Sequence, residues 1–265
     1  MLELENLTKI YDDGTRALHQ LSFTVEPGEF LVIIGLSGSG KSTLLRCINR
    51  LIEPTEGSIR WDGVDITTAD PARLREIRRQ IGMIFQHFNL VRRSNVLTNV
   101  LAGRLGYTNP MASMLYHFSQ QERQMAMQAL ERVGIADQAL KRADELSGGQ
   151  QQRVGIARAL MQQPRMILAD EPVASLDPVL AHTILGYLER MNREEGMTVL
   201  CSLHYLDLVQ RYASRVIGLR DGQIVYRGSR EEIRRMTDEE FEEIYGEEAV
   251  RVSAGKSQGE PTDAE

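Results

Sequence analysis

Long apolar runs are missing from this chain. The longest, Phe30 to Ile34, is strand-sized, whereas a membrane-spanning helix needs about 18 to 20 apolar residues. The start, Met1-Leu-Glu-Leu-Glu5, alternates apolar with acidic residues and lacks the basic and apolar blocks of a secretion signal. The expectation is a cytoplasmic chain that borrows any membrane role from a partner. A basic surplus is missing as well. Lys and Arg number 31 against 37 Asp and Glu, a net charge of -6, so the bulk charge offers nothing to a nucleic-acid backbone. Cysteine is scarce, with only Cys47 and Cys201. Small buried apolar roles suit them better than a disulfide in a reducing compartment. No internal repeat is present.

What remains is ordinary for a folded chain of 265 residues, with 42% hydrophobic and 26% charged residues. That length supports one sizeable core, or one core with a smaller lobe. Leu2, Leu4 and Leu7 mark an early strand and Leu21 to Val25 another, followed by the turn Pro27-Gly28. Phe30 to Ile34 reads as a strand buried on both faces, and Lys41 to Leu51 as a helix. Strands are expected at Ser58–Trp61, Ile81–Phe85, Met166–Ala169, Thr198–Cys201, Val216–Leu219 and Gln223–Tyr226. Between Ser94 and Gln163 helical periodicity takes over (Met125, Ala129, Leu130, Val133, then Gly134). Leu180, Ile184, Leu188 and Met191 form a second helical stripe, and Ser229–Glu232 and Thr237–Glu240 are capping boxes. Strands alternating with helices argue for a largely parallel sheet covered on both faces. From residue 246 to 265 the composition turns polar and aperiodic, which reads as a disordered tail.

Gly35-Leu36-Ser37-Gly38-Ser39-Gly40-Lys41-Ser42 fits the phosphate-loop pattern. Glycines let backbone N–H groups curl around phosphate oxygens, and the helix that follows directs its free N–H groups at the anion. Lys41 is placed to reach the terminal phosphates and the Ser42 hydroxyl to ligate Mg²⁺. Thr43 either meets the α-phosphate or simply helps the helix start. Its setting between a buried strand and a helix separates this loop from a glycine-rich turn without a ligand. Met166-Ile-Leu-Ala-Asp170-Glu171 is an apolar strand ending in two acids, and in an α/β sheet such ends face the ligand crevice. Asp170 is expected at Mg²⁺, and Glu171 at an attacking water as general base.

Leu146-Ser147-Gly148-Gly149-Gln150, followed by Gln151-Gln152-Arg153, puts a serine and two glycines before a helix expected from about Gln150 to Met161. This is a second helix beginning with exposed N–H groups. The string resembles the signature of ABC ATPases, and the resemblance covers roughly residues 1–245. It implies an α/β P-loop NTPase fold of the ABC type, with a mixed sheet core, an N-terminal antiparallel β subdomain and a helical subdomain inserted at about 87–163. It also implies ATP and Mg²⁺ as ligands, and a homodimer in which Ser147, Gly148, Gly149 and Gln150 of one subunit close over the nucleotide of the other. By the same resemblance Gln86 contacts metal and water, Asp177 links the two sites, His204 bonds the γ-phosphate, and Tyr11 stacks on adenine. The segment Glu171-Pro-Val-Ala-Ser-Leu-Asp177 departs from many relatives in its middle but keeps its acids.

Phe88–Ser94, Val96–Tyr107, Asp170–Asp177 and Ser202–His204 are similar to the ATP-binding subunits of phosphonate importers. That likeness implies separate permease subunits, a periplasmic binding protein that acts indirectly and sets selectivity, and a peripheral place on the cytoplasmic side of the inner membrane. The residues from about His87 to Arg104 would form the permease groove. The segment from Gly106 to Phe118, rich in Met and aromatics, is read as local packing or as an added permease-facing surface. Competing readings are an importer of phosphate, amino acids or another small solute, a soluble ABC protein acting on ribosomes or DNA, and a non-hydrolysing module. The single cassette without sustained heptads speaks against the second. The presence of Glu171 and His204 speaks against the third.

Overall fold

The computed structural model describes residues 1–107, 118–174 and 176–245. Two sheets organise them. The N-terminal sheet is antiparallel, in the order β2 (Arg16–Val25), β1 (Leu2–Ile10), β4 (Glu56–Trp61), β5 (Val64–Asp65). The central sheet runs β10 (Gln223–Ser229), β9 (Arg215–Arg220), β3 (Phe30–Ile34), β8 (Thr198–Ser202), β7 (Met166–Ala169), β6 (Ile81–Ile84). All of its pairings are parallel except the edge pair β9–β10. The mixed core and the antiparallel N-terminal sheet are those the family resemblance implies.

Alternation along the central strands feeds two apolar cores. Leu31, Ile33, Met166 and Leu168 face one, shared with the N-terminal sheet, α1 (Lys41–Ile48) and Ile77 of α2 (Pro71–Gln80). Phe30, Val32, Ile34, Ile167 and Ala169 face the other. That second core takes in α3 (Val96–Leu101), α4 (Gln120–Arg132), α5 (Gly148–Leu160) and α6 (Pro178–Glu195), with α7 (Leu206–Tyr212), α8 (Arg230–Arg235) and α9 (Asp238–Tyr245) completing the order. With both faces covered, all five residues of β3 are buried, which is why that strand is uninterruptedly apolar. The helices α3, α4 and α5 pack on one another. Both cysteines are free and buried. Burial pushes the Cys47 thiol up to about 12 and raises that of Cys201 as well.

Several boundaries differ from the sequence-based expectation. Helix α1 stops at Ile48 rather than Leu51, because Arg50 turns left-handed (φ 49°). Its guanidinium there donates to the carbonyls of Ile66 and Ala69. Helix α5 begins at Gly148 rather than Gln150, with Ser147 as its N-cap. The expected disordered tail lies outside the described residues, as does most of the Gly106–Phe118 segment. Phe118 itself is buried in the helical core. Among the described residues no helix is long and apolar enough to cross a membrane.

Strand β4 starts where its pairing with β1 shifts register, and Gly57 at that point has φ 84°. A Cβ there would lie 2.5 Å from the Asn6 and Glu5 carbonyl oxygens. Gly63, in the β4–β5 turn, has φ 76° but open space around it. Gly63→Ala should therefore cost about 1 kcal/mol from backbone strain alone. Gly57→Ala should cost about 2–3 kcal/mol, because the strain is joined by backbone collision. Urea unfolding of both variants measures the difference, and equal losses would contradict this account.

Candidate nucleotide-binding and catalytic site

Four strands that are neighbours in the sheet, β3, β8, β7 and β6, end at one edge with their C-termini side by side. The phosphate loop follows β3, His204 follows β8, Asp170 and Glu171 follow β7, and Gln86 follows β6. Parallel pairing thereby collects residues far apart in sequence into one crevice.

The loop from Gly35 to Gly40 leads into α1 through Gly40 at φ 105°, where a Cβ would sit 2.4 Å from the Ala17 carbonyl oxygen. Helices α2, α3, α4, α5, α6 and α8 open on side-chain caps, whereas α1 has none. The first N–H groups of α1, on Lys41, Ser42 and Thr43, have no intrahelical acceptor and are open to an anion. Within the loop, Leu36 accepts from the N–H of Ser39. The Ser39 hydroxyl is buried without a partner. The Lys41 ammonium is 3% exposed and donates to the carbonyls of Gly35 at 2.6 Å and Leu36 at 2.8 Å. Burial lowers its pKa, while the nearby Glu171 and Asp170 carboxylates oppose that shift. Ser37 and Gly38 complete the turn. Tyr11, at the end of β1, bonds the Thr43 hydroxyl at 3.1 Å. The predicted adenine platform is thus fastened to the first turn of α1, and the Thr43 hydroxyl already has this partner.

Asp170 is fully buried. Its Oδ1 accepts from the Ser42 hydroxyl at 2.7 Å. Its Oδ2 has no hydrogen-bond donor. The Arg46 guanidinium approaches Oδ2 to 3.5 Å as a charge neighbour only. A hydroxyl beside a carboxylate with a spare buried oxygen is a donor set for a hard divalent cation. Among the described residues no group of three or more His, Cys, Asp or Glu could hold a metal alone, so the remaining ligands would come from an amide oxygen such as that of Gln86, from phosphate and from water.

Glu171 has φ 47°, and its N–H donates to the buried Ser202 Oγ at 2.7 Å. Its carboxylate lies 2.5 Å from His204 Nε2, accepts from Gln86 Nε2 at 2.8 Å and lies 3.9 Å from Lys41 Nζ. The hydrogen bond from His204 is the main cause that holds this carboxyl below its ordinary range, against the opposing effect of burial. Lys41, Gln86, Glu171 and His204 therefore form one connected cluster beside Asp170 and Ser42.

The signature residues lie elsewhere. Ser147 and Gln150 bond each other in a capping box, and Gly148 and Gly149 are the first turn of α5, not a preceding loop. Gly149 abuts Leu180 in the first turn of α6, and Asp177 caps that helix by accepting from the N–H of Leu180 at 3.0 Å. Signature and Asp177 thus share one surface of the chain. Ser175 is outside the described residues. The sequence assigned no site role to Ser202 or Arg46. The signal for Arg46 was its i+4 spacing from Ser42 on α1; Ser202 had only its place two residues before His204.

His204→Ala should destabilise the nucleotide-free protein by about 1–2 kcal/mol at neutral pH, the scale of a hydrogen bond to a charged group. The Glu171 carboxyl is depressed in the folded state, so its contribution is present above its ordinary value of 4.5 and is lost as pH falls through the folded value. The gap between wild type and variant should therefore narrow as the pH is taken below 4.5. Thermal melts across pH check this, and a gap that widens in acid would refute it.

Residues 18–174 match the ABC transporter family. The chain is 54% identical over 254 residues to the phosphonates import ATP-binding protein PhnC of Bdellovibrio bacteriovorus, covering 96% of each chain. It is 53% identical over 251 residues to the protein of the same name from Bacillus thuringiensis subsp. konkukian, covering 95% of this chain and 96% of that one. Among solved structures, the ATP-binding cassette MJ0796, in a dimeric post-hydrolysis state bound to ADP and Pi, superposes with a TM-score of 0.77 at 36% identity, covering 86% of this chain and 98% of that one. In sequence over nearly its whole length, and in fold, this chain belongs to the ABC transporter family of ATP-binding proteins.

Proposed function

We propose that this chain is the ATP-hydrolysing subunit of a phosphonate importer, working as a homodimer against separate membrane permease subunits. The observation that carries the reading is the convergence of Lys41, Gln86, Asp170, Glu171 and His204 at the ends of four adjacent strands. The relatives named for phosphonates import supply the transported class. The subunit itself would handle only ATP and the permease, with a periplasmic binding protein selecting the solute. In this reading residues 1–245 are the ATPase unit, and the lobe from about 87 to 163 is the part that moves with the permease. The place of work is the cytoplasmic side of the inner membrane, and no nucleic acid takes part.

In each site the uncapped start of α1 and Lys41 would hold the β- and γ-phosphates, with adenine on Tyr11. Ser42, Asp170 and Gln86 are the residues that would hold Mg²⁺, which when bound neutralises charge on the phosphate oxygens. Hydrolysis forms a bond from a water oxygen to the γ-phosphorus and breaks the bond to the oxygen bridging to the β-phosphorus. Glu171 takes the proton that the water gives up; in the resting site the His204 hydrogen bond holds its carboxyl below the ordinary range, so it is ionised when water arrives. Water displaces His204 from Glu171, and the freed His204 turns to the γ-phosphate while Gln86 stays beside the carboxylate. Ser147, Gly148 and Gly149 of the second subunit cover the exposed phosphate face with the free N–H groups of α5, and Asp177 beside them links the two sites.

The permease side is built on the groove lined by Val91, Ser94, Thr98, Ala102, Leu105 and Phe118, about 190 Å³ in volume. Val91 and Leu105 are 61% and 45% exposed there.

Glu171→Gln should still bind ATP, lose about 10²–10³-fold in kcat, and accumulate as a dimer in sedimentation velocity. Turnover at the wild-type rate would refute the base assignment. Val91→Asp with Leu105→Asp should weaken co-purification with the solubilised permease by about tenfold or more while basal ATPase holds. Unchanged co-purification would remove the groove from the interface.

A further inference from the structure

Two residues past Gln86 the backbone does something unusual. Phe88 and Asn89 both adopt positive φ, 57° and 49°. Consecutive left-handed residues with side chains cost roughly 1–2 kcal/mol each and persist only where surroundings impose them. The constraint comes from α5. Arg158, in its last turns, donates from Nη1 to the Asn89 carbonyl at 2.6 Å and from Nη2 to the Phe88 carbonyl at 2.8 Å. Partial burial lowers the pKa of this guanidinium, and both ends of its fork are spent on the carbonyls of one loop.

The same loop touches α5 along its length. The Phe88 ring comes within 3.9 Å of a Cβ built at Gly148, in the first turn, and the Phe88 carbonyl oxygen within 3.9 Å of one built at Gly155. On the other side, a Cβ at Gly103 would lie 2.2 Å from the Arg158 carbonyl oxygen. The short turn that follows α3 is thus seated at Arg158 too.

We propose that Arg158 is a positioning residue that locks the loop after Gln86 onto the signature helix, so that the places of Gln86 and of Ser147-Gly148 are set by one rigid body. This rests on the two-subunit sandwich proposed above. Gln86 touches Glu171 in the chain's own site, whereas Ser147 serves the partner's site. A displacement of Gln86 when nucleotide arrives is then delivered to the start of α5 rather than absorbed by a slack loop.

The test uses the full chain carrying Glu171→Gln, and reads ATP binding by dilute monomer and ATP-driven dimerisation separately. Arg158→Met keeps the aliphatic stem and removes both donors. The ATP concentration for half-maximal dimerisation should rise about tenfold, within the usual range of intersite coupling, while monomer affinity for a fluorescent ATP analogue changes by less than about twofold. Arg158→Lys, with one point-like donor group, should fall between Met and the parent. Ile156→Val removes a buried methylene from the same helix and should dimerise as the parent does. Dimerisation of Arg158→Met at the parent's ATP concentration overturns the inference. So does an equal shift in Ile156→Val, or a matching fall in monomer affinity. If the Glu171→Gln parent itself never dimerises, the sandwich fails first and takes this inference with it.

Discussion

The Glu171 carboxylate is the constraint around which the site is arranged. It ends the strand β7 in a left-handed turn, with its own N–H tied to Ser202, and draws His204, Gln86 and Lys41 toward it. Each of those partners comes from a different strand end or loop. A single partly buried anion can hold all of them because opposite charge and directed hydrogen bonds outweigh its desolvation. The same residue proposed to take a proton from water also holds the unliganded site together. In the proposed mechanism, nucleotide entry exchanges one set of these partners for another.

The two helix beginnings in this molecule are prepared differently. Helix α1 opens on a left-handed glycine with no side-chain cap, so its N–H groups are available to an anion held by the same chain. Helix α5 opens on Ser147 and closes part of its first turn in a capping box, which leaves the Gly148 and Gly149 N–H groups without an intrahelical acceptor. The first is an anion cradle within the sheet edge. The second packs at Leu180 beside Asp177, away from the chain's own phosphate loop. That separation is what motivates the proposal that the signature serves a neighbouring subunit's site.

Much of this was legible in the chain itself. The phosphate loop, the acids after β7 and the strand leading to His204 are local patterns, and the buried central strands were found nearly to the residue, whereas β2 begins five residues earlier than its apolar run suggests. The elements that escaped notice have weak patterns. Helix α2 buries only Ile77, so it has no apolar stripe, although Asp70 and Pro71 were a start signal. The short helices α3 and α7 are set by packing rather than periodicity. Ser202 reads as one more residue of a buried strand, and Arg158 as a surface arginine on a helix, because nothing local shows which carbonyls a side chain will reach.

By itself the sequence determined which chemistry is available: backbone N–H groups freed by glycine, a lysine for phosphate, a hydroxyl and two acids for metal and water, a histidine after an apolar strand. Those depend on residue type and on spacing of a few positions, which the covalent chain carries directly. The tertiary structure alone decided which of these groups meet. Parallel pairing set β3, β8, β7 and β6 edge to edge, and register in the sheet brought Ser42 to Asp170 and His204 and Gln86 to Glu171. Contacts across some 30 to 170 residues of sequence depend on the order in which strands pair, and no local pattern encodes that order.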